Sequence, residues 1–105
     1  MHLVAAFFAG AFLCNCLPHV AAGLQGHGFP TPFAKPRGVG FSSPTINMLW
    51  GAANLVAGLL LLSRSAIAIG WNLDFGVMLA GGLVLGLYLS RHFDRVMRER
   101  ASSDH

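Results

Sequence analysis

Three long apolar runs divide the chain, separated by two segments of different texture. Residues 3–23 open as LVAAFFAGAFL and change character at CNCLPHVAAG, residues 44–63 read PTINMLWGAANLVAGLLLLS, and residues 73–90 read LDFGVMLAGGLVLGLYLS. Each is close to the ~20 residues that an α-helix needs to cross a hydrocarbon core of ~30 Å. The pattern predicts an all-α fold, an integral membrane three-helix bundle forming a single domain over residues 1–105. No length remains for a separate soluble catalytic domain.

Local signals sharpen the boundaries. Ser43 is placed to cap the second helix, and Pro44 suits its first turn, where a missing N–H costs nothing. Arg64 ends that run, and a short connection, RSAIAIGWN, follows. Trp71 and Tyr88 flank the third run, as amphipathic rings do at a membrane interface. Pro18 lies inside the first run and predicts a kink there. In a membrane such a kink survives when neighbouring groups satisfy the freed carbonyl.

The segment 24–43, LQGHGFPTPFAKPRGVGFSS, cannot be a regular helix, because Pro30, Pro32 and Pro36 interrupt it and Gly26, Gly28, Gly38 and Gly40 supply turns. Phe29, Phe33 and Phe41 are odd in a solvated linker. They predict an extended interfacial loop whose rings dip toward acyl chains while Lys35 and Arg37 meet lipid phosphates. A re-entrant loop packed against the helices is the sharper alternative. Residues 91–105, RHFDRVMRERASSDH, place Phe93, Val96 and Met97 at helical spacing among arginines. They predict that the third helix continues as an amphipathic basic C-terminal extension near the membrane surface, ending in a disordered stretch at 102–105.

Composition changes the picture in one respect. The chain is 54% hydrophobic and 10% charged, against roughly 25% charged in soluble domains. No Asp, Glu, Lys or Arg precedes Lys35, and none lies between Arg37 and Arg64 or between Asp74 and Arg91. A water-soluble fold would have no charged surface for those elements, so lipid is the expected solvent. The first run has no basic n-region, so it is expected to remain as a span and not to be cleaved as a signal peptide. His2 and the terminal amine are the only positive groups there.

The placement of charge also predicts topology. Lys35 and Arg37 follow the first span, and Arg91, Arg95, Arg98 and Arg100 follow the third, so in a three-span protein all share one side. Only Arg64 lies opposite. Basic residues stay in the cytoplasm, so the N-terminus faces out and the C-terminus in, in a multi-pass plasma membrane protein of the bacterial inner-membrane kind. The basic tail adjoins a span and is suited to anionic lipid headgroups, not to nucleic acid.

Candidate chemistry is sparse. Asn15 and His19 are four apart on one helical face, and Asn47 falls at similar depth on the antiparallel second span, with Asn54 nearer the middle. An unpartnered polar group facing lipid costs on the order of 2–7 kcal/mol. Asn15, His19, Asn47 and Asn54 are therefore expected to form an intramembrane polar cluster in the helix interface, chiefly as hydrogen-bonding glue. A proton or substrate pathway with His19 titrating is the alternative. Asn47, Gly51, Asn54 and Gly58 recur at steps of four, three and four, and Gly82 and Gly86 make a small-xxx-small pair. Both suit close helix packing, within the protomer or against a partner. Cys14 and Cys16 point to nearly opposite sides of a helix and are expected to pack as small apolar residues. Asp74 and Arg64 are placed to pair across the short connection.

No catalytic residues, metal site or cofactor site is expected: the chain has no Walker loop, dinucleotide fingerprint, HEXXH or carboxylate pair within a span. These readings predict an accessory or structural subunit that is not an enzyme, its partners being membrane lipids and either copies of itself or other membrane subunits. One alternative is a homo-oligomeric channel or transporter with a polar path around His19. A second is a membrane enzyme or cofactor-binding subunit, with His19, and His92 at the cytoplasmic end of the third span, as porphyrin ligands.

Overall fold

A computed structural model describes residues 2–103. The terminal amine of Met1 and the last two residues of the tail, Asp104 and His105, lie outside that range. The element order is α1 (His2–Gln25), β1 (Phe29–Pro30), β2 (Phe41–Ser42), α2 (Pro44–Ser65) and α3 (Leu73–Ser103). All three helices are long and apolar enough to cross a membrane. At roughly 1.5 Å per residue, α1 is about 36 Å long and α3 about 46 Å, which accounts for the 49 Å long axis of the molecule.

α1 is the central helix. It packs along α2 on one side and α3 on the other, while α2 and α3 barely meet. The glycines show why the helices approach so closely. On α2, a Cβ at Gly51 would strike Val20, and one at Gly58 would strike Leu13. Gly23, further along α1, lies against Pro44 and Met48 at the start of α2, so the pair is antiparallel. On the other side, a Cβ at Gly10 would collide with the carbonyl of Met78, and one at Gly81 with the carbonyl of Phe7. Backbone therefore lies on backbone, and α3 runs parallel to α1.

The ends of the helices are chemically marked. Ser43 caps α2 by accepting from the Ile46 N–H at 3.2 Å, with Pro44 in the first turn. Ala66 ends α2 in the left-handed region at φ 50°. Asn72 caps α3, its Oδ1 accepting from the Phe75 N–H at 2.8 Å. α1 stays helical across Pro18.

Three expectations need correction. The segment between α1 and α2 is not an extended strap. β1 and β2 pair antiparallel, Phe29 opposite Ser42 and Pro30 opposite Phe41, and the residues between them fold into turns. The Thr31 carbonyl accepts from the N–H groups of both Ala34 and Gly38. The resulting cap packs on the bundle through Phe29, whose ring centre lies 5.6 Å from that of His19 and 4.6 Å from that of Phe93. Phe33 stays outside, 64% exposed, with its ring against Trp50.

The basic tail does continue the third helix, but the disorder expected from Ser102 onward does not hold for Ser102 and Ser103: α3 runs unbroken through Ser103. The cap is the reason: His92 donates from Nε2 to the Gly38 carbonyl at 2.7 Å, the Arg100 guanidinium lies 3.7 Å from the Phe41 ring centre, and Val96 is buried. Finally, Asp74 pairs with His2 at 2.9 Å and not with Arg64. The parallel packing of α1 and α3 brings their N-termini together, whereas Arg64 sits on the far flank.

Candidate functional site

The polar residues of α1 and α2 pair as two separate rungs, not as one cluster. In the first rung, the Asn54 Nδ2 donates to the Trp50 carbonyl at 2.8 Å, which turns its Oδ1 toward α1. Asn15 Nδ2 donates to that oxygen at 2.9 Å. In the second rung, Asn47 is fully buried, and its Nδ2 lies 3.0 Å from the Phe29 carbonyl, 3.2 Å from that of Ser42 and 3.1 Å from that of Ser43. An amide nitrogen surrounded by carbonyls is a donor, so Asn47 Oδ1 faces His19, whose Nδ1 lies 2.8 Å away.

An amide oxygen only accepts. The His19 proton therefore sits on Nδ1, and Nε2 carries the lone pair. The imidazole is locked in one tautomer and one orientation by an amide that is itself held by the cap.

Beside the rungs lies a cavity of about 330 Å³. Its floor is Asn15 and His19, its sides are Trp50 of α2 and Tyr88, His92 and Phe93 of α3, and Thr31 and Arg37 of the cap close one end. It exists because α2 and α3 are splayed on either side of α1. Thr31 is 1% exposed and its hydroxyl is hydrogen-bonded to that of Ser42. The rings of Tyr88 and His92 stack within 5° of parallel.

The remaining positions singled out from the sequence separate cleanly. Gly51 and Gly58 are buried on α2 against α1. Gly82 and Gly86 also face α1: a Cβ at Gly82 would lie 3.3 Å from the Gly10 carbonyl, and one at Gly86 3.4 Å from the Cys14 Sγ. Both glycine pairs thus pack inside the protomer. Lys35, Arg37, Arg91, Arg95, Arg98 and Arg100 are exposed at one end of the bundle, with Arg98 held 3.1 Å from Asp94. Cys14 and Cys16 are free; the Cys14 Sγ faces Gly86 of α3, and the Cys16 thiol donates to the Leu13 carbonyl of its own helix at 3.0 Å.

Sequence reasoning passed over Thr31 and Trp50. Trp50 stands three residues after Asn47 and four before Asn54, a spacing that puts it beside the polar stripe. Thr31 carried no signal, because its role depends on the fold of the cap.

Among the described residues no group of three or more His, Cys, Asp or Glu side chains could hold a metal ion. A bis-histidine porphyrin site does not fit either, since His92 Nε2 is engaged by Gly38. Set beside known protein families, curated proteins and solved structures, the chain matches none of them.

Proposed function

We propose that the chain is a multi-pass integral membrane protein, N-terminus out and C-terminus in, in a plasma membrane of the bacterial inner-membrane type. We propose further that it serves as a small accessory or structural subunit. The orientation is supported by the cap and the α3 tail, which bring all basic residues but Arg64 to one end of the bundle.

The observation that carries the subunit reading is the surface of α3. Only Gly81 and Val96 of its 31 residues are buried. Leu79, Leu83 and Leu87 recur at four-residue steps on an exposed stripe, each more than half exposed. Gly51, Gly58, Gly82 and Gly86 are used inside the protomer, so a partner on this stripe would meet the leucines.

Native mass spectrometry of the protein gently extracted from its membrane tests this. Mass beyond the 11.1 kDa chain, in copies of itself or in another polypeptide, is the expected result. A bare monomer overturns the reading. Leu83→Trp locates the contact: lipid tolerates the larger ring, whereas a packed partner is displaced. A conducting path around His19 is the weaker reading, because the Asn47 and Asn54 amides are engaged by partners within the protomer.

A further inference from the structure

His19 is 2% exposed, yet only one of its ring nitrogens is used. Nδ1 donates to Asn47. Nε2 makes no hydrogen bond among the described residues, and His19 forms part of the cavity floor. Asn15, beside it, donates from Nδ2 to Asn54, which leaves its Oδ1 as a second acceptor on the same floor. Among the described residues only the Ser65 hydroxyl is a fully buried side-chain polar atom without a partner, so Nε2 keeps accessible surface from which a donor can reach it. Asn47 fixes the tautomer that leaves the lone pair on Nε2, on a ring that lines the cavity.

The walls specify the rest. Trp50, Tyr88 and Phe93 are flat rings around a space of about 330 Å³, while a cavity of about 150 Å³ already holds a benzene ring. α2 and α3 barely meet, so in the membrane placement proposed above the side between them is the one open to lipid. Arg37 at the rim is exposed and is the cavity's only fixed cation, too little to hold a free anion in the interior.

We propose that this cavity binds a lipid-soluble phenol or hydroquinone. Its hydroxyl donates to His19 Nε2, its ring lies among Trp50, Tyr88 and Phe93, and its alkyl tail leaves between α2 and α3. The inference rests on the membrane placement and not on the subunit reading.

The chain carries its own reporter. Trp50 lies in the cavity, and the other tryptophan, Trp71, is fully exposed at the opposite end of the bundle. Trp71→Phe leaves Trp50 alone. In lipid nanodiscs, a short-chain alkyl hydroquinone should quench Trp50 saturably. Its dimethyl ether, which has the same ring but no donor, should bind at least about tenfold more weakly, as expected for loss of one hydrogen bond. The converse reporter, Trp50→Phe, should show only the weak, unsaturable quenching of Trp71 that partitioning into lipid produces.

Equal binding of ether and hydroquinone, or no saturable quenching in protein that enters nanodiscs, overturns the proposal. Protein that fails to enter nanodiscs at all counts against the membrane placement instead. The ether comparison uses the chain with His19 intact, so it does not depend on whether His19→Leu folds. Where that variant does fold, hydroquinone and ether should bind alike.

Discussion

Asn47 joins four pieces of chain through one amide: the His19 ring on α1, the carbonyl of Phe29 in β1, that of Ser42 in β2 and that of Ser43 at the head of α2. Removing it leaves several buried groups unpaired at once. Asn54 has one partner across the interface and one on its own helix. Asn47→Leu should therefore destabilise the fold by about 3 kcal/mol or more, from buried polar groups costing about 1–3 kcal/mol each. Asn54→Leu should cost about 1–2 kcal/mol, the range of a hydrogen bond between membrane helices. Unfolding in mixed micelles ranks the two, and the reverse order would contradict the network. Ala66 offers a stabilising change. It holds a left-handed conformation that costs a non-glycine residue about 1–2 kcal/mol, so Ala66→Gly should raise stability by about 1 kcal/mol in the same assay.

Among the elements, the α1–α3 contact is made by backbone, and this sets how substitutions act. A Cβ at Gly81 meets the Phe7 carbonyl, which cannot rotate away, whereas one at Gly76 on the same helix meets nothing within 4 Å. Gly81→Ala should loosen α3 from α1 and lower thermal stability. Gly76→Ala should be neutral or stabilising by up to about 1 kcal/mol, through helix propensity alone. Equal effects would show that α3 does not lie where the structure places it. The cap depends on Phe29, wedged between His19 and Phe93. Phe29→Ala should speed hydrogen exchange across 31–42 and free the Arg100 end of α3, while leaving the centres of α1 and α2 protected. Exchange rates unchanged in the cap would remove Phe29 as its anchor.

At the scale of the whole molecule, the cap and the α3 tail share one end, and the connection 66–72 occupies the other. The proposed orientation therefore makes a labelling prediction. The native thiols lie inside the bundle, so new cysteines at Ser102 and Asn72, both exposed, report cleanly. A membrane-impermeant maleimide applied to intact cells should label Asn72→Cys and spare Ser102→Cys until the membrane is opened. Labelling of Ser102→Cys in intact cells would invert the topology.

Much of this was legible in the chain itself. The three helices, the Ser43–Pro44 start of α2 and the gathering of the polar residues in the α1–α2 interface follow from local causes. Apolar length, capping chemistry and the cost of an unpaired amide act wherever the residue sits. The face of α2 was equally plain, because Asn47, Gly51, Asn54 and Gly58 fall on one helical stripe whatever it packs against. Other features depended on which surfaces meet, and no single segment encodes that. The pairing of Asn15 with Asn54 and of His19 with Asn47 needs the register of two antiparallel helices. The use of Gly82 and Gly86 inside the protomer needs α3 to lie against α1. The folded cap arises because Asn47, Phe93 and His92, all distant in sequence, satisfy carbonyls and bury a ring that the loop cannot satisfy or bury alone. The cavity beside His19 follows from the same cause, since it is the space left when one central helix separates two others.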